Sequence, residues 1–232
     1  MKFTILTLFP DMVQPFLTQS VIGRAVEDGK IAIEIRNLRD WATDKHHTVD
    51  DTPYGGGAGM VLKVDVVDRA LAELKTPNTT TILLTPQGKR FTQEIAETLA
   101  KTDRNILLIA GHYEGFDERI RLLVDEQLSI GDFVLTGGEL PAAIIVDAVA
   151  RLLPGVLGDD TSSHDETFSL KDDAGNRLIE YPNYTRPDSY TPASKDLGEQ
   201  SVPEVLKSGN HAAIEHWRLE QAKERTERSK SD

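Results

Sequence analysis

The stretch NILLIAGHYEGFDERIRLLVDEQLSIGDFVLTGGELPA, residues 105–142, contains the alternation of strand and helix that decides the fold class. Residues 105–110 form a short apolar run typical of a buried strand, and we expect a second strand at 126–130. Helical spacing of apolar residues predicts helices at 116–124 and 140–152. Strands that alternate with helices indicate an α/β fold with a parallel sheet covered on both faces.

The same alternation extends towards the amino terminus. We expect further strands at 2–9, 31–36 and 80–84, and helices at 10–28 (with a kink or break at Pro15), 64–74 and 92–101. A loop of about 20 residues, from 37 to 60, ends in a glycine cluster. Loops of that length inside a compact domain are usually functional or mobile.

The composition changes after Leu153. Residues 154–201 are rich in Pro, Gly, Ser, Thr and Asp, which is typical of an irregular segment, and helical spacing returns at 211–228. We therefore predict an α/β domain at 1–157, a flexible interdomain linker at 158–181 and a small, all-α C-terminal domain at 182–232.

Composition excludes several classes of protein. The absence of cysteine excludes a disulfide framework and a thiolate zinc site. No apolar run approaches the ~20 residues that span a bilayer, and we interpret the first residues as a strand and not as a signal peptide. We expect a cytoplasmic protein with no membrane partner.

Net charge gives a mixed indication of the partner. The value of −12 argues against a nucleic-acid binder, but binding is local. Residues 218–230 contain five basic and three acidic side chains. This segment is either a site for RNA or a solvated helix face with i,i+4 ion pairs.

Three loops follow the carboxyl ends of predicted strands: TPQGKR (85–90), GHYEG (111–115) and GDFVLTGGELP (131–141). Ligands of open α/β sheets bind at this edge. The chain lacks a Rossmann G-x-G-x-x-G after a strand, and Gly88-Lys89 lacks the rest of a P-loop. Although one glycine alone indicates only a turn, three such loops predict a pocket lined by main chain.

The polar residues near these loops give weaker indications. His46 and His47 are adjacent, so their rings do not share a face as metal ligands usually do, and we assign no metal site. Five acids lie in or beside the predicted pocket, and each alone is more typical of a helix cap or a surface charge. They are Glu114, Asp117, Glu118, Asp132 and Glu139.

Eight motifs together identify a family. They are LTLFPDM (6–12), DDTPYGGGAGM (50–60), LTPQGKRF (84–91), GHYEGFDERI (111–120), LSIGDFVLTGGELPA (128–142), ARLLPGVLG (150–158), YPNYTRP (181–187) and SGNHAAIEHWR (208–218). In order, spacing and number they make the chain resemble, over essentially its whole length, the tRNA (guanine-N1)-methyltransferases of the knotted SPOUT superfamily.

The resemblance implies the fold and the methyl donor. The family has an α/β domain with a deep trefoil knot, a flexible linker and a helical domain; since chains generally avoid knots, the knot follows from the resemblance alone. S-adenosylmethionine binds in the knot, and Glu114 or Asp132 could favour its sulfonium charge. The implied donor-binding residues are Pro86, Gln87, Gly111, Tyr113, Glu114, Ile130, Gly131, Asp132, Phe133, Val134, Leu135, Gly137 and Gly138.

The resemblance also implies two catalytic roles. Methylation at N1 of guanine requires loss of the N1 proton and stabilisation of negative charge on O6. The family uses a linker acid for the first and an arginine, here Arg151, for the second. Where the family has Asp-Ser-Phe, this chain has Asp165-Glu166-Thr167-Phe168. Alignment on Phe168 makes Glu166 the base, and a shift of one residue makes it Asp165.

The substrate and the assembly are implied in the same way. The family acts as a homodimer on a guanine at tRNA position 37 that follows another guanine, and the partner's linker and C-terminal helices complete each pocket. Mg²⁺ is implied as an aid to the reaction, although the sequence shows no cage of acids for it. The implied RNA contacts are His46, Tyr54, Arg186 and Arg218.

Three alternatives remain at this stage. Another knotted methyltransferase, acting on a different base, would share the donor pocket but lack the arginine and acid of the linker. A non-catalytic RNA- or nucleotide-binding module would bind the donor without transfer. A phosphate-handling α/β enzyme is disfavoured because the P-loop and Rossmann patterns are absent.

Overall fold

The computed structural model describes residues 1–158, 166–172 and 174–229. The chain divides into two compact units, Met1–Asp160 and Thr161–Asp232. The first unit contains a five-stranded sheet in the order β2-β1-β6-β5-β7, and every pairing in it is parallel. Its strands are β1 (Lys2–Thr7), β2 (Ala32–Asn37), β5 (Thr79–Arg90), β6 (Asn105–Ala110) and β7 (Glu126–Ser129). The prediction of an α/β fold with a parallel sheet is confirmed.

Apolar side chains cover both faces of this sheet. Because successive side chains of a strand point to opposite faces, Ile5 and Leu108 belong to one buried cluster while Leu6 and Ile109 belong to another. This double burial explains the near-continuous apolar runs of the strands. The helices that supply the cover are α1 (Pro10–Leu17), α2 (Ser20–Glu27), α3 (Val64–Leu74), α4 (Gln93–Ala100) and α5 (Glu139–Ala150).

The helix predicted at 10–28 is two helices. Pro15 lies inside α1, and the break comes after it, at Thr18 and Gln19. A β-carbon on Gly23 would lie 2.5 Å from the carbonyl oxygen of Thr18, so glycine permits the close approach of α2 to the end of α1.

Two other segments differ from their predicted form. The helix expected at 116–124 is a short 3-10 helix, Glu118–Leu122, and the side chain of Asp117 caps its amino end. The loop expected at 37–60 contains a 3-10 helix, Leu38–Trp41, and a short strand, β3 (Asp50–Asp51). Strand β3 pairs with β4 (Val61–Leu62), which directly follows the expected loop. Turns and pairs this short bury too few apolar residues to give a periodic signal.

Strand β5 continues through the predicted TPQGKR loop. Both Leu84 and Lys89 pair with Leu128 of β7, so the residues between them form an excursion from the sheet. Gly88 lies directly against β7, since a β-carbon there would be 2.6 Å from the Leu128 nitrogen. This excursion brings Pro86 and Gln87 to the carboxyl edge of the sheet.

The second unit contains more than helices. Its elements are the antiparallel pair β8 (Ser189–Tyr190) and β9 (Gln200–Ser201), and the helices α6 (Glu204–Lys207) and α7 (His211–Ser229). The prediction of an all-α domain did not include the β pair, which is too short to show alternation. Residues within the predicted linker form a turn. The Phe168 amide donates to the Leu178 carbonyl, and the Leu178 amide donates to the Leu170 carbonyl.

Helix α7 packs against the segment that precedes β8. The Arg218 guanidinium lies 4.7 Å from the centre of the Tyr181 ring, and the Trp217 and Tyr184 rings are 6.4 Å apart. The Ile179 amide donates to the Thr226 hydroxyl at 2.8 Å. In the described part of the chain, no helix has the length and apolar character needed to span a membrane.

Candidate functional site

The loops that leave β5, β6 and β7 surround a cavity of about 390 Å³ at the carboxyl edge of the sheet. This volume is in the range of small-molecule sites. Gly131 and Asp132 are not part of the lining, and the Asp132 side chain is 92% exposed. The other predicted donor residues line the cavity: Pro86, Gln87, Gly111, Tyr113, Glu114, Ile130, Phe133, Val134, Leu135, Gly137 and Gly138.

Main chain forms much of the lining because glycines let the loops approach closely. The Gly138 amide donates to the Gly111 carbonyl at 2.9 Å. A β-carbon on Gly138 would lie 2.7 Å from the Ala110 α-carbon, and one on Gly111 would overlap the Phe116 ring. The cavity therefore offers amide and carbonyl groups beside the apolar side chains of the 131–138 loop.

A buried polar network lies next to the cavity. The Glu139 carboxylate accepts a hydrogen bond from the Thr7 hydroxyl at 2.5 Å, and its other oxygen lies 2.7 Å from Nε2 of His112. The Glu139 side chain is 2% exposed, so the interpretation of this acid as a surface charge is wrong. His112 lines the cavity. His112 and Thr7 were not predicted from the sequence, because they lie 27 and 132 residues from Glu139 and give no local pattern.

Arg121 forms another part of the cavity wall, and no pattern in the sequence predicted it. Its guanidinium donates to the side-chain oxygens of Gln87 and Gln127, and its Nε donates to Glu118 at 2.9 Å. Arg121, Gln87 and Glu118 all line the cavity. Arg121 thus holds the Gln87 side chain by a hydrogen bond from the 3-10 helix to the β5 excursion. No sequence motif indicates this hydrogen bond.

The glycine cluster at 55–59 contacts Glu114, which lines the cavity. The Glu114 amide donates to the Met60 carbonyl at 3.0 Å, and a β-carbon on Gly59 would lie 2.7 Å from the Glu114 carboxylate. Tyr54 is fully exposed at the other end of the cluster. His46 is also exposed, and its amide donates to Asp44.

The residues predicted to be catalytic belong to different parts of the chain, and Arg151 is not among the residues that line the cavity. Arg151 caps the carboxyl end of α5. Since α5 begins at the cavity and rises 1.5 Å per residue, Arg151 is on the order of 18 Å along the helix axis from that edge. Glu166 belongs to the second unit, where its carbonyl accepts from the Ser169 and Leu170 amides at 2.9 Å. Asp165 lies outside the described residues.

The remaining predicted contacts belong to the second unit. Arg186 lines a surface depression with Tyr184 and Asp188, and Arg218 stacks on Tyr181 as described above. Among the described residues, no group of three His, Asp or Glu side chains is placed to hold a metal ion.

The sheet and its cavity define an α/β protein with a site of suitable size for a small molecule, lined by loops at the carboxyl edge. A family model described as tRNA (Guanine-1)-methyltransferase TrmD matches residues 1–232, and the chain belongs to this family. The resemblance seen in the motifs is confirmed, and with it methyl transfer to N1 of a tRNA guanine. The family's methyl donor is S-adenosylmethionine.

Several relatives named tRNA (guanine-N(1)-)-methyltransferase are similar over most of their length. The relative from Syntrophomonas wolfei is 53% identical over 227 residues, which cover 97% of this chain and 87% of the relative. The relative from Deinococcus deserti is 49% identical over 232 residues, covering 100% and 81%. The relative from a Geobacter species is 49% identical over 229 residues, covering 97% and 86%.

Proposed function

We propose that this chain methylates N1 of the guanine at tRNA position 37 with S-adenosylmethionine bound in the carboxyl-edge cavity. One observation carries the proposal. Residues from loops far apart in the sequence, selected by motif as donor contacts, meet around one cavity of suitable size. Because tRNA is the substrate, we place the reaction in the cytoplasm.

The cavity chemistry suits this donor. Amide and carbonyl groups of the 111–115 and 131–138 loops can bind the adenine edge, and Ile130 and Leu135 can pack on its faces. Glu114 lines the cavity whereas Asp132 does not, so Glu114 is the acid that we assign to the sulfonium charge.

The order of strands supports a knotted path. After β7, which pairs only with β5 in the described sheet, the chain returns past β5 to meet β6, where Gly138 bonds Gly111. The β5 excursion at 85–88 begins and ends beside Leu128, two residues before this return path starts. We propose that the 131–138 segment passes through this excursion, as the trefoil knot of the family requires.

The chemistry of the transfer follows from the two assigned roles. A linker carboxylate, Glu166 or Asp165, accepts the N1 proton, and Arg151 stabilises the negative charge that builds on O6. The N1 electron pair then attacks the methyl carbon while the carbon–sulfur bond breaks, so that the sulfonium becomes a neutral thioether.

The length of α5 supports a site shared between two copies of the chain. Arg151 lies at the end of α5 opposite the cavity, so we propose that it serves the cavity of a partner subunit. Helices α1 and α5 pack together, and exposed apolar side chains lie on both helices and at the residue before α1, which is typical of an interaction surface. These side chains are Phe9, Met12, Phe16, Leu140 and Ile144.

We assign RNA contacts to both units. Phosphate contacts position an RNA, and the cationic Arg186 and Arg218 suit that role. The exposed ring of Tyr54 suits stacking on an unpaired base. With His46 it would help to cover a guanine that is turned out of the anticodon loop.

The proposal is tested by donor binding and by mass mapping of the modified base. We expect S-adenosylmethionine to bind in calorimetry and the methyl group to appear at guanine 37 of a transcript whose residue 36 is also guanine. A transcript with adenine at 37 is the control and gains no methyl group. Donor binding without transfer supports a binding module, and transfer elsewhere supports a different RNA methyltransferase; either result contradicts the proposal.

The base is identified by a pair of substitutions. We expect Glu166→Gln to lower turnover by about 10²- to 10⁴-fold, the usual contribution of a general base, with the donor Kd unchanged. Asp165→Asn is the matched control, since it removes the neighbouring carboxylate. If Asp165→Asn causes the loss instead, the motif is shifted by one residue. If neither variant slows single-turnover transfer, the linker acid has no role in deprotonation.

A further inference from the structure

The network of Glu139, His112 and Thr7 connects three loops at the carboxyl edge. Thr7 ends β1, His112 lies in the loop after β6, and Glu139 begins α5 after the loop that follows β7. The Thr7 and Glu139 side chains are buried, and the His112 side chain is 14% exposed on the cavity side. The Phe9 ring contacts His112 edge-on, with centroids 4.6 Å apart.

Burial of a carboxylate is unfavourable unless hydrogen-bond donors surround it. Glu139 accepts from the Thr7 hydroxyl, has Nε2 of His112 within hydrogen-bond distance, and lies in the first turn of α5, where the helix dipole favours negative charge. When the carboxylate accepts from both neighbours, Nε2 of His112 carries a hydrogen, so the pair fixes the tautomer and the orientation of the ring.

The main chain at Gly137 lies directly over this pair. A β-carbon on Gly137 would overlap both Nε2 of His112 and a carboxylate oxygen of Glu139. Gly137 and its neighbour Gly138 line the cavity, and Gly138 bonds Gly111. The position of the donor-binding main chain therefore depends on the pair beneath it.

We propose that Glu139 is a positioning residue that holds His112 and the two glycine loops in the geometry that binds the methyl donor. Thr7 is its second anchor. This inference rests on the proposed function, since it assumes that the donor occupies this cavity. This role differs from a general contribution to folding. Loss of the network weakens binding of the donor and leaves binding of tRNA unchanged.

A double-mutant cycle in the full-length protein tests the proposal. Glu139→Ala and His112→Ala each weaken S-adenosylmethionine binding by at least about tenfold in calorimetry, and the double variant binds as weakly as the weaker single variant. The KM for tRNA stays unchanged while the KM for the donor rises. If the two losses multiply, the residues act independently and the proposal is overturned.

Glu139→Gln keeps the size of the side chain. Its amide oxygen can accept from His112 while its N–H donates to the Thr7 hydroxyl, so it restores most of the affinity lost in Glu139→Ala. Failure of this rescue, with a folded Glu139→Gln protein, also overturns the role of the hydrogen bonds.

Asp125→Asn is the matched control, since Asp125 accepts from Thr81 and Lys75 at the other end of the sheet. It leaves the donor Kd unchanged.

Nitrogen-15 NMR of His112 in the unaltered protein gives an independent measurement if Glu139→Ala does not fold. Hydrogen on Nε2 supports the proposal, and its absence overturns it. Absence of donor binding by the unaltered protein would instead contradict the proposed function itself.

Discussion

The two ends of the parallel sheet carry similar polar networks in different surroundings. At the amino end, the Asp125 carboxylate accepts from the Thr81 amide and hydroxyl at 2.8 and 2.7 Å and from Lys75 at 3.0 Å. At the carboxyl end, Glu139 bonds Thr7 and His112. The Asp125 side chain is 38% exposed, whereas that of Glu139 is 2% exposed.

The difference lies in what surrounds each carboxylate. Asp125 joins the start of β5 to the turn before β7. Glu139 lies beneath glycines whose main chain lines a cavity, and one of its partners lines that cavity too. The same combination of threonine, carboxylate and cationic or ring nitrogen thus lies in a turn at one end and beside a cavity wall at the other. Burial and glycine contacts distinguish the two roles.

The largest effect is expected where the carboxyl-edge loops meet. Gly138→Ala places a β-carbon 2.7 Å from the Ala110 α-carbon, and main chain cannot yield as a side chain can. We expect the donor Kd to rise by about 100-fold, because the two loops must separate. Overpacking also lowers the free energy of unfolding by about 1–3 kcal/mol. Calorimetry and urea unfolding measure these, and an unchanged donor Kd would contradict the close packing of the loops.

A smaller effect on donor binding is expected at Gly59. Gly29, at the amino end of the sheet, is a matched glycine for comparison. Gly59 and Gly29 both have positive φ, +77° and +68°, but only the β-carbon on Gly59 would meet a neighbour, the Glu114 side chain. Each alanine variant should lose about 1 kcal/mol of stability from backbone strain. We expect Gly59→Ala also to weaken donor binding by about tenfold, because Glu114 must move.

Gly29→Ala is the control for that strain. Its melting temperature should fall as in Gly59→Ala, while its donor Kd stays at the value of the unaltered protein. Equal donor affinities in the two variants would show that the glycine cluster does not act on the cavity through Glu114.

The sequence predicts the sheet and most of the cavity for a physical reason. Apolar strands of a doubly covered sheet give a strong signal, and parallel strands bring their carboxyl ends to one edge, so the three loops had to meet there. The motif match then selected residues within those loops. Two of the predicted donor residues, Gly131 and Asp132, are not in the lining, and the exposed Asp132 carboxylate lies 3.9 Å from Arg90.

The polar supports of the cavity could not be predicted in this way. Thr7, His112 and Glu139 become neighbours only after three loops converge, and Arg121 reaches Gln87 across 34 residues of sequence. Periodicity reports which face of an element is buried, but not which polar side chains meet across elements. The short 3-10 helix that presents Arg121 was itself predicted as a longer α-helix.

The smallest effect is expected at the amino end, in the pH dependence of stability. Burial alone would raise the pKa of Asp125, but hydrogen bonds from the Thr81 amide and hydroxyl and from Lys75 outweigh it and lower the pKa to about 2. Because this value lies below the ~3.9 of an unfolded aspartate, the stabilisation is present above about pH 4. It is lost as the pH falls towards 2.

Asp125→Asn removes this titration. After allowance for the exposure of the carboxylate and for screening, we expect the free energy of unfolding to fall by about 1 kcal/mol at pH 7. The difference from the unaltered protein should shrink as the pH falls from about 4 towards 2. Urea unfolding at a series of pH values measures it. A difference that stays constant over that range would mean that Asp125 contributes through packing alone, and a change in donor Kd would remove the contrast between the two ends of the sheet.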